Sequence, residues 1–394
     1  LKTPNQTISL PQLFWNFFLI GSLSFGGHMA LIAMVKKQLT DKLKILSDAE
    51  ILDGASLAAL LPGPLAVNSV VYYGYILSGV RGAFVSFFGV LIPTTLLVLG
   101  FSVLYYKALG PESLHIDYVI PVIAAIIIGV GINMAKKQIQ HKSQFILLVF
   151  AFFTSVFAPS VLFLLLSLLV GGVLGFIWYK QQGQALELNR GTHFMPINEL
   201  ILLLAIVMAI LSVFYGFSLL TDQVTEVFSL MSVFSGMSLT LFGGGYVIIP
   251  IMKQALVTDL GWLSLTEFNT AIGISQVTPG PILSSVTFIG YKQAGITGAL
   301  AGTMAIFLPS AVLMLLLSHL HQEVKHLASI AAIMTGVRAC VIGLIFSGAY
   351  TIGIKTFGLE PYPWISFAVA LALILFTKLH PALLIGIALA VSFI

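Results

Sequence analysis

The chain has a single cysteine, Cys340. That excludes an internal disulfide and any cysteine-built metal cage. Alone in an apolar stretch, it reads as a small buried helix residue. Charge is also scarce. Only 8% of the 394 residues are Asp, Glu, Lys or Arg, against about a quarter in a soluble domain. No His-x-x-x-His pair, Gly-x-Ser-x-Gly elbow or Walker loop occurs. The chain therefore reads as a non-enzyme with no cofactor or metal, and ATP-driven transport would need another subunit. The small excess of cations, +4, collects in loops. This is the pattern of membrane topology rather than of nucleic-acid binding.

What remains is apolar: 58% of residues are hydrophobic, and the mean hydropathy is +1.05. The runs are continuous rather than alternating, which argues against a β-barrel. The expected fold class is an all-α polytopic membrane protein. No cleavable signal peptide is evident, so the first span serves as the membrane anchor. Because the sequence opens on Leu1 rather than Met, further residues are expected before it.

One stretch, Phe242 to Tyr291, occurs twice. It opens with Phe242-Gly243-Gly244-Gly245 and closes with Pro279-Gly280-Pro281 and Gly290-Tyr291. The earlier copy runs from Phe25-Gly26-Gly27-His28 through Pro62-Gly63-Pro64 to Gly74-Tyr75. Phe242 and Pro279 each lie 217 residues beyond Phe25 and Pro62, while Gly290 and Pro309 lie 216 beyond Gly74 and Pro93. A fixed offset over this length marks a duplicated unit. Ile330-Ala331-Ala332-Ile333 likewise echoes Ile123-Ala124-Ala125-Ile126. We therefore expect a first repeat over 8–180, a linker with one extra helix over 181–224, and a second repeat over 225–394.

Pro-Gly-Pro breaks a helix. Each proline lacks an N–H, the residue before it is pushed to extended geometry, and glycine permits unusual dihedrals. Helices are expected over Ser47–Leu61 and Pro64–Leu77, with the same pair repeated over Leu265–Tyr291. Ser47-x-x-Glu50 reads as a capping box. Full spans are expected near 10–35, 82–106, 118–135, 144–157, 161–179, 198–217, 227–252, 296–318, 327–350, 365–377 and 382–394. Lys36, Lys37, Lys42 and Lys44 are expected in a cytoplasmic loop. The charges favour a re-entrant pair of half-helices over one broken span. That count gives six spans before the second repeat, and hence parallel repeats.

In a bilayer, freed backbone persists only where protein or water satisfies it. Matching breaks in two halves point to a transporter binding site. The helix starts after Pro64 and Pro281 offer unpaired N–H groups and partial positive charge, which suits an anion. Gly63, Pro64, Asn68, Ser69, Gly280, Pro281, Ser284, Ser285 and Thr287 are the candidates there, and a capped or back-bonded helical turn is the plain alternative. Gly26, Gly27, Gly243 and Gly244 are read either as unwound backbone lining the same cavity or as close helix packing. Arg338, inside an apolar run, would meet an anion or a structural partner. His28, Glu50 and Glu267 are candidates for proton coupling, with capping the plainer role of the two carboxylates. Arg81 and Lys292 read as topology residues.

At these residues the sequence resembles the chromate ion transporter family in its two-domain, long-chain form. The resemblance rests on Phe25-Gly26-Gly27, Leu46-Ser47-x-x-Glu50, Pro62-Gly63-Pro64-x-Ala66-x-Asn68 and Gly74-Tyr75. In the second copy it rests on Phe242-Gly243-Gly244-Gly245-Tyr246, Pro250, Gly261-Trp262-Leu263-Ser264-x-x-Glu267-Phe268, Pro279-Gly280-Pro281 and Gly290, and later on Gly336-Val337-Arg338. It implies export of chromate across the cytoplasmic (inner) membrane, linked in some members to sulfate and to the proton gradient. It also implies halves of opposite orientation, unlike the span count. Asn68 within Pro64-Leu65-Ala66-Val67-Asn68, and Cys340 after Arg338, depart from the long-chain pattern. The expected partners are a small inorganic oxyanion (chromate or sulfate) and the lipid bilayer. A homodimer is left open, and no nucleic acid is expected.

Overall fold

Apolar runs without alternation wind into helices, and every regular element among the described residues is helical. The computed structural model describes residues 8–25, 27–109, 120–179, 197–221, 223–241, 245, 248–319, 327–357, 361–377 and a few positions from 379 to 388. Most of the expected last span, 382–394, lies outside them.

In the first copy, α1 (Leu10–Leu23) stops at Ser24 and α2 (Gly27–Val35) resumes. Then come α3 (Asp48–Leu60), α4 (Leu65–Val103), α5 (Ile120–Gln138), α6 (Lys142–Phe157) and α7 (Val161–Tyr179). The extra helix is α8 (Ile197–Leu220). The second copy supplies α9 (Val224–Thr240), α10 (Ile248–Lys253), α11 (Leu265–Val277), α12 (Ser285–His319), α13 (Leu327–Thr356) and α14 (Pro361–Phe376). Among the described residues, six stretches are long and apolar enough to cross a membrane. The chain is a multi-pass membrane protein.

One expectation needs correcting. Lys36–Lys42 is not a loop but a π-helix continuing α2. Leu39, fully buried on it, gives the wound chain an apolar anchor that the lysine count hides. The second copy does the same over Gln254–Asp259, where Ala255 and Leu256 are buried.

The capping box forms. Ser47 N–H donates to Glu50 Oε2 at 2.7 Å, and Glu50 N–H donates to Ser47 Oγ at 3.2 Å. Helix α3 has 13 residues, about 20 Å at 1.5 Å per residue, which is short of a ~30 Å hydrocarbon layer. Helix α4 departs from helical geometry at Ser78 and Gly79 (φ 62°), and α12 does so at Ala294 and Gly295 (φ 55°). Each therefore holds a short first leg and a long second leg that carries Pro93 or Pro309.

The chain divides into two compact units that cut across the repeats. One comprises Leu1–Ser102, Leu188–Leu239 and Thr278–Val324; the other comprises Val103–Glu187, Thr240–Val277 and Lys325–Ile394. In the first unit, a Cβ at Gly54 of α3 would overlap the Tyr73 ring of α4, and Tyr73 Oη donates to Ile51 O at 2.7 Å. Gly21 of α1 lets Val90 of α4 approach. Helix α8 packs on α12, and its Glu199 carboxylate lies at the Gly79 break. Most of α8 is exposed and apolar, as a lipid-facing helix should be. In the second unit, α13 packs on α5, α6 and α7. Gly336 is essential to this packing, since a Cβ there would overlap Gly171 O. Cys340 is free and buried beside Gly171.

Candidate functional site

Both Pro-Gly-Pro turns lie in the first unit. Helix α3 ends at Leu60, Leu61 is extended (φ −95°, ψ 152°), and Gly63 takes φ 111°. In the second turn Gly280 takes φ 112°, and Pro281 is extended. The shared positive φ is what glycine supplies without strain.

Each turn leans on the long leg that belongs to the other copy. A Cβ at Gly63 would fall 2.1 Å from Cβ of Ser310, and one at Gly280 would fall 2.1 Å from Oγ1 of Thr94. Ser310 stands 216 residues beyond Thr94, each directly after its helix proline. Thr94 Oγ1 donates to Pro279 O at 2.6 Å, and Gly280 N–H donates to Ser24 O at 2.8 Å. Thus the break after α1, the second turn and α4 meet at one place. Val71, Phe84 and Phe87 of α4 and Leu308, Val312 and Leu315 of α12 line a small apolar cleft in the same unit.

The first turns of the short legs are buried and polar. Asn68 and Ser285 occupy equivalent positions, 217 apart, and are 0% and 1% exposed. Asn68 Nδ2 donates to Pro62 O at 3.2 Å, which fixes the amide. Its Oδ1 has no protein partner, and neither has Oγ of Ser284 or Ser285. Buried polar atoms are normally satisfied, so these three call for a ligand or water. Ser69 differs: its hydroxyl donates to Leu65 O at 2.9 Å and is not available as a donor. Thr287 pairs with Thr303 at 2.8 Å. Ser69 follows the back-bonded alternative, while Thr287 is committed to the hydroxyl of Thr303 on the long leg.

The amides differ too. The first N–H groups of α4 have no intrahelical acceptor by construction. The second copy starts with a 3-10 turn over Ile282–Ser284, where Ser284 N–H donates to Pro281 O and Ser285 N–H to Ile282 O and Leu283 O.

The remaining candidates lie apart from this description. Gly26, Gly243 and Gly244 are outside the described residues, as are the side chains of Gly27 and His28. Arg338 is half-buried on α13 in the second unit. Arg81 and Lys292 are exposed. Glu267, in the second unit, repeats the capping box: Ser264 N–H donates to its Oε2 at 2.8 Å, and its own N–H donates to Ser264 Oγ at 3.1 Å. It is also buried and takes a bond from Tyr106 Oη at 3.3 Å, whereas Glu50 is half-exposed. Sequence reading missed Ser24, Thr94 and Ser310. The signal for the last two was present, a hydroxyl after each duplicated helix proline.

A family model described as "Chromate transporter" matches the chain twice, over residues 11–176 and 228–393. A chromate transport protein of Cupriavidus metallidurans is 28% identical over 97% of this chain and 92% of its own length. An uncharacterized transporter of Methanocaldococcus jannaschii is 26% identical over 85% of this chain and 82% of its own length. A chromate transport protein of Pseudomonas aeruginosa is 28% identical over 90% and 83%. No solved structure matches the chain.

Proposed function

The chain belongs to the chromate transporter family, and on that premise we propose that it is a secondary transporter that exports chromate across the cytoplasmic membrane. The observation that carries the reading is the pair of duplicated turns in one unit, each followed by a buried polar atom without a protein partner, at Asn68 and Ser285. Half-helix amides supply partial positive charge, and Ser284 and Ser285 supply hydroxyl donors. Gly63, Pro64, Gly280 and Pro281 hold the backbone open, and breaks at Gly79 and Gly295 let each short leg turn against its long leg.

The fixed Asn68 amide presents an acceptor, not a donor, because its Nδ2 is committed to Pro62 O. An acceptor repels a bare dianion and attracts an O–H. The site thus suits an oxyanion that carries one proton, and moving that species moves a proton with it. Export of that species carries one proton and one negative charge outward, so an inside-negative potential drives it while an inside-alkaline pH gradient opposes it. Of the two carboxylate candidates, Glu267, bonded by Tyr106, is buried and Glu50 is half-exposed. Sulfate is a competing tetrahedral ion, and the exposed apolar face of α8 is where a second copy would pack. The acceptor equally suits a small hydroxylated organic anion, which is the second reading.

Proteoliposomes test both. Labelled chromate should accumulate when the compartment it enters is alkaline, with sulfate competing and Asn68→Ala slowing uptake. No chromate flux under any imposed gradient would refute the reading. Competition by hydroxy acids but not by sulfate would favour the organic anion.

A further inference from the structure

The segment from Tyr118 to Leu186 contains no Asp or Glu. It forms α5, α6 and α7, with Lys136 and Lys137 in the last turn of α5 and Lys142 at the start of α6. Helices α13 and α14, which pack on this group within the second unit, also lack carboxylates. Helix α11 meets α5 too, and its one carboxylate, Glu267, is engaged by its own cap and by Tyr106. All three lysines are exposed, and none forms an ion pair among the described residues. The duplication does not ask for these charges. At the offset of 207 that aligns Ile123-Ala124-Ala125-Ile126 with Ile330-Ala331-Ala332-Ile333, Lys136 and Lys137 correspond to Gly343 and Leu344, inside α13.

The corner that carries the lysines is tightly built. Only Ile139, Gln140 and His141 separate α5 from α6. Gln144, 5% exposed, accepts from the N–H of Gln140 at 2.6 Å and from that of His141 at 3.0 Å, so a buried carboxamide closes the turn. Ser143 Oγ and Tyr179 Oη share a hydrogen bond, and the His141 ring stacks on that of Tyr179 with centroids 6.0 Å apart. The end of α7 is thereby pinned to the turn. The adjoining positions are apolar and open: Phe145 and Ile146 on α6, and Ile177 and Trp178 on α7, are all exposed. Fixed cations next to an apolar surface that includes a tryptophan match the level where headgroups meet hydrocarbon.

We propose that this corner is a docking site for the phosphate of an anionic lipid headgroup in the cytoplasmic leaflet, held by Lys136, Lys137 and Lys142, with the apolar rim against its acyl chains. Helices without carboxylates leave the counter-charge to a partner outside the chain, and each lysine near an anionic surface adds about fivefold to binding. The site lies in the second unit and does not depend on the reading of the turns. Native mass spectrometry tests it, on the full chain in detergent with equal phosphatidylglycerol and phosphatidylcholine added. The wild type retains phosphatidylglycerol at least tenfold over phosphatidylcholine. Lys142→Gln alone cuts that preference about fivefold, and Gln at all three lysines abolishes it. Arg at all three keeps it. Lys36→Gln, which removes a cation already paired with Asp48, leaves it unchanged. Phosphatidylglycerol also raises the melting temperature of the wild type and not that of the triple Gln variant, whose cooperative melt shows that it is folded. Equal retention of phosphatidylglycerol by the wild type and both Gln variants would overturn the proposal. So would its displacement by inorganic phosphate beyond the effect of chloride at the same ionic strength, which would make a free oxyanion the occupant. Neither readout involves transport, so failure here leaves the reading of the turns intact.

Discussion

The two copies agree where backbone is decided and differ in the polar side chains set on that backbone. Both bend on a glycine near φ 111°, both break again at a second glycine, and both pass into a π-helix within one residue of the same register. Yet Asn68 corresponds to Ser285, the exposed Lys36–Asp48 pair corresponds to the buried Lys253 and Leu265, and half-exposed Glu50 corresponds to buried Glu267. Duplication thus preserves a frame whose geometry few residues can supply and releases the polar positions carried on it.

The equivalence is broken most severely at the turns. Gly63→Val or Gly280→Val puts a β-branched side chain at positive φ and against a packed hydroxyl residue, so folded protein and transport should both be lost. The milder Gly63→Ala and Gly280→Ala should each destabilise by at least about 1–3 kcal/mol, the cost of a strained backbone. Thermal melts in detergent check this, and a large effect at only one turn would end the equivalence.

The difference between copies is sharpened at the next position. Asn68→Ala should cut chromate uptake at least tenfold with the protein still in the membrane, and Ser285→Ala should cut it less. Asn68 also ties the turn through Pro62 O, which Ser285 has no side-chain amide to match. Equal losses, measured as initial rates in proteoliposomes, would contradict that ranking. Thr94→Val removes the bond to Pro279 O and should cost about 0.5–1.5 kcal/mol in the same melts. Ser310→Ala should cost less, because the Ser310 hydroxyl bonds its own helix at Phe307 O.

The smallest effect belongs to Lys36. Its hydrogen bond and charge interaction with Asp48 raise its pKa above the usual 10.5. The pair's contribution is therefore complete below about pH 10.5 and is lost as pH climbs through the raised value. Both partners are substantially exposed, at 48% and 71%, so Asp48→Asn should leave the melt near neutral pH unchanged.

Much of this was legible in the residues. The turn prolines, the capping boxes and the breaks near Leu77 and Tyr291 follow from local chemistry, which a sequence carries directly. The π-helical continuation over Lys36–Lys42 was not legible, because one buried leucine outweighs a run of lysines only once its packing partners are known. The choice between donor and back-bonded hydroxyl at Ser69 was not legible either, because back-bonding to Leu65 O is a choice of rotamer, not of residue type. The crossing of each turn onto the other copy's helix needed tertiary contacts. The hydroxyls at Thr94 and Ser310 were nonetheless available in the repeat alignment.

The central claim is that the buried first-turn atoms after the two Pro-Gly-Pro turns hold the oxyanion. Anomalous diffraction from crystals soaked in selenate tests it most directly. A selenium peak within about 3–4 Å of hydrogen-bonding atoms of Asn68 or Ser285 is the predicted result. Saturating selenate with no peak beside either residue, in a protein that still transports selenate, would contradict it.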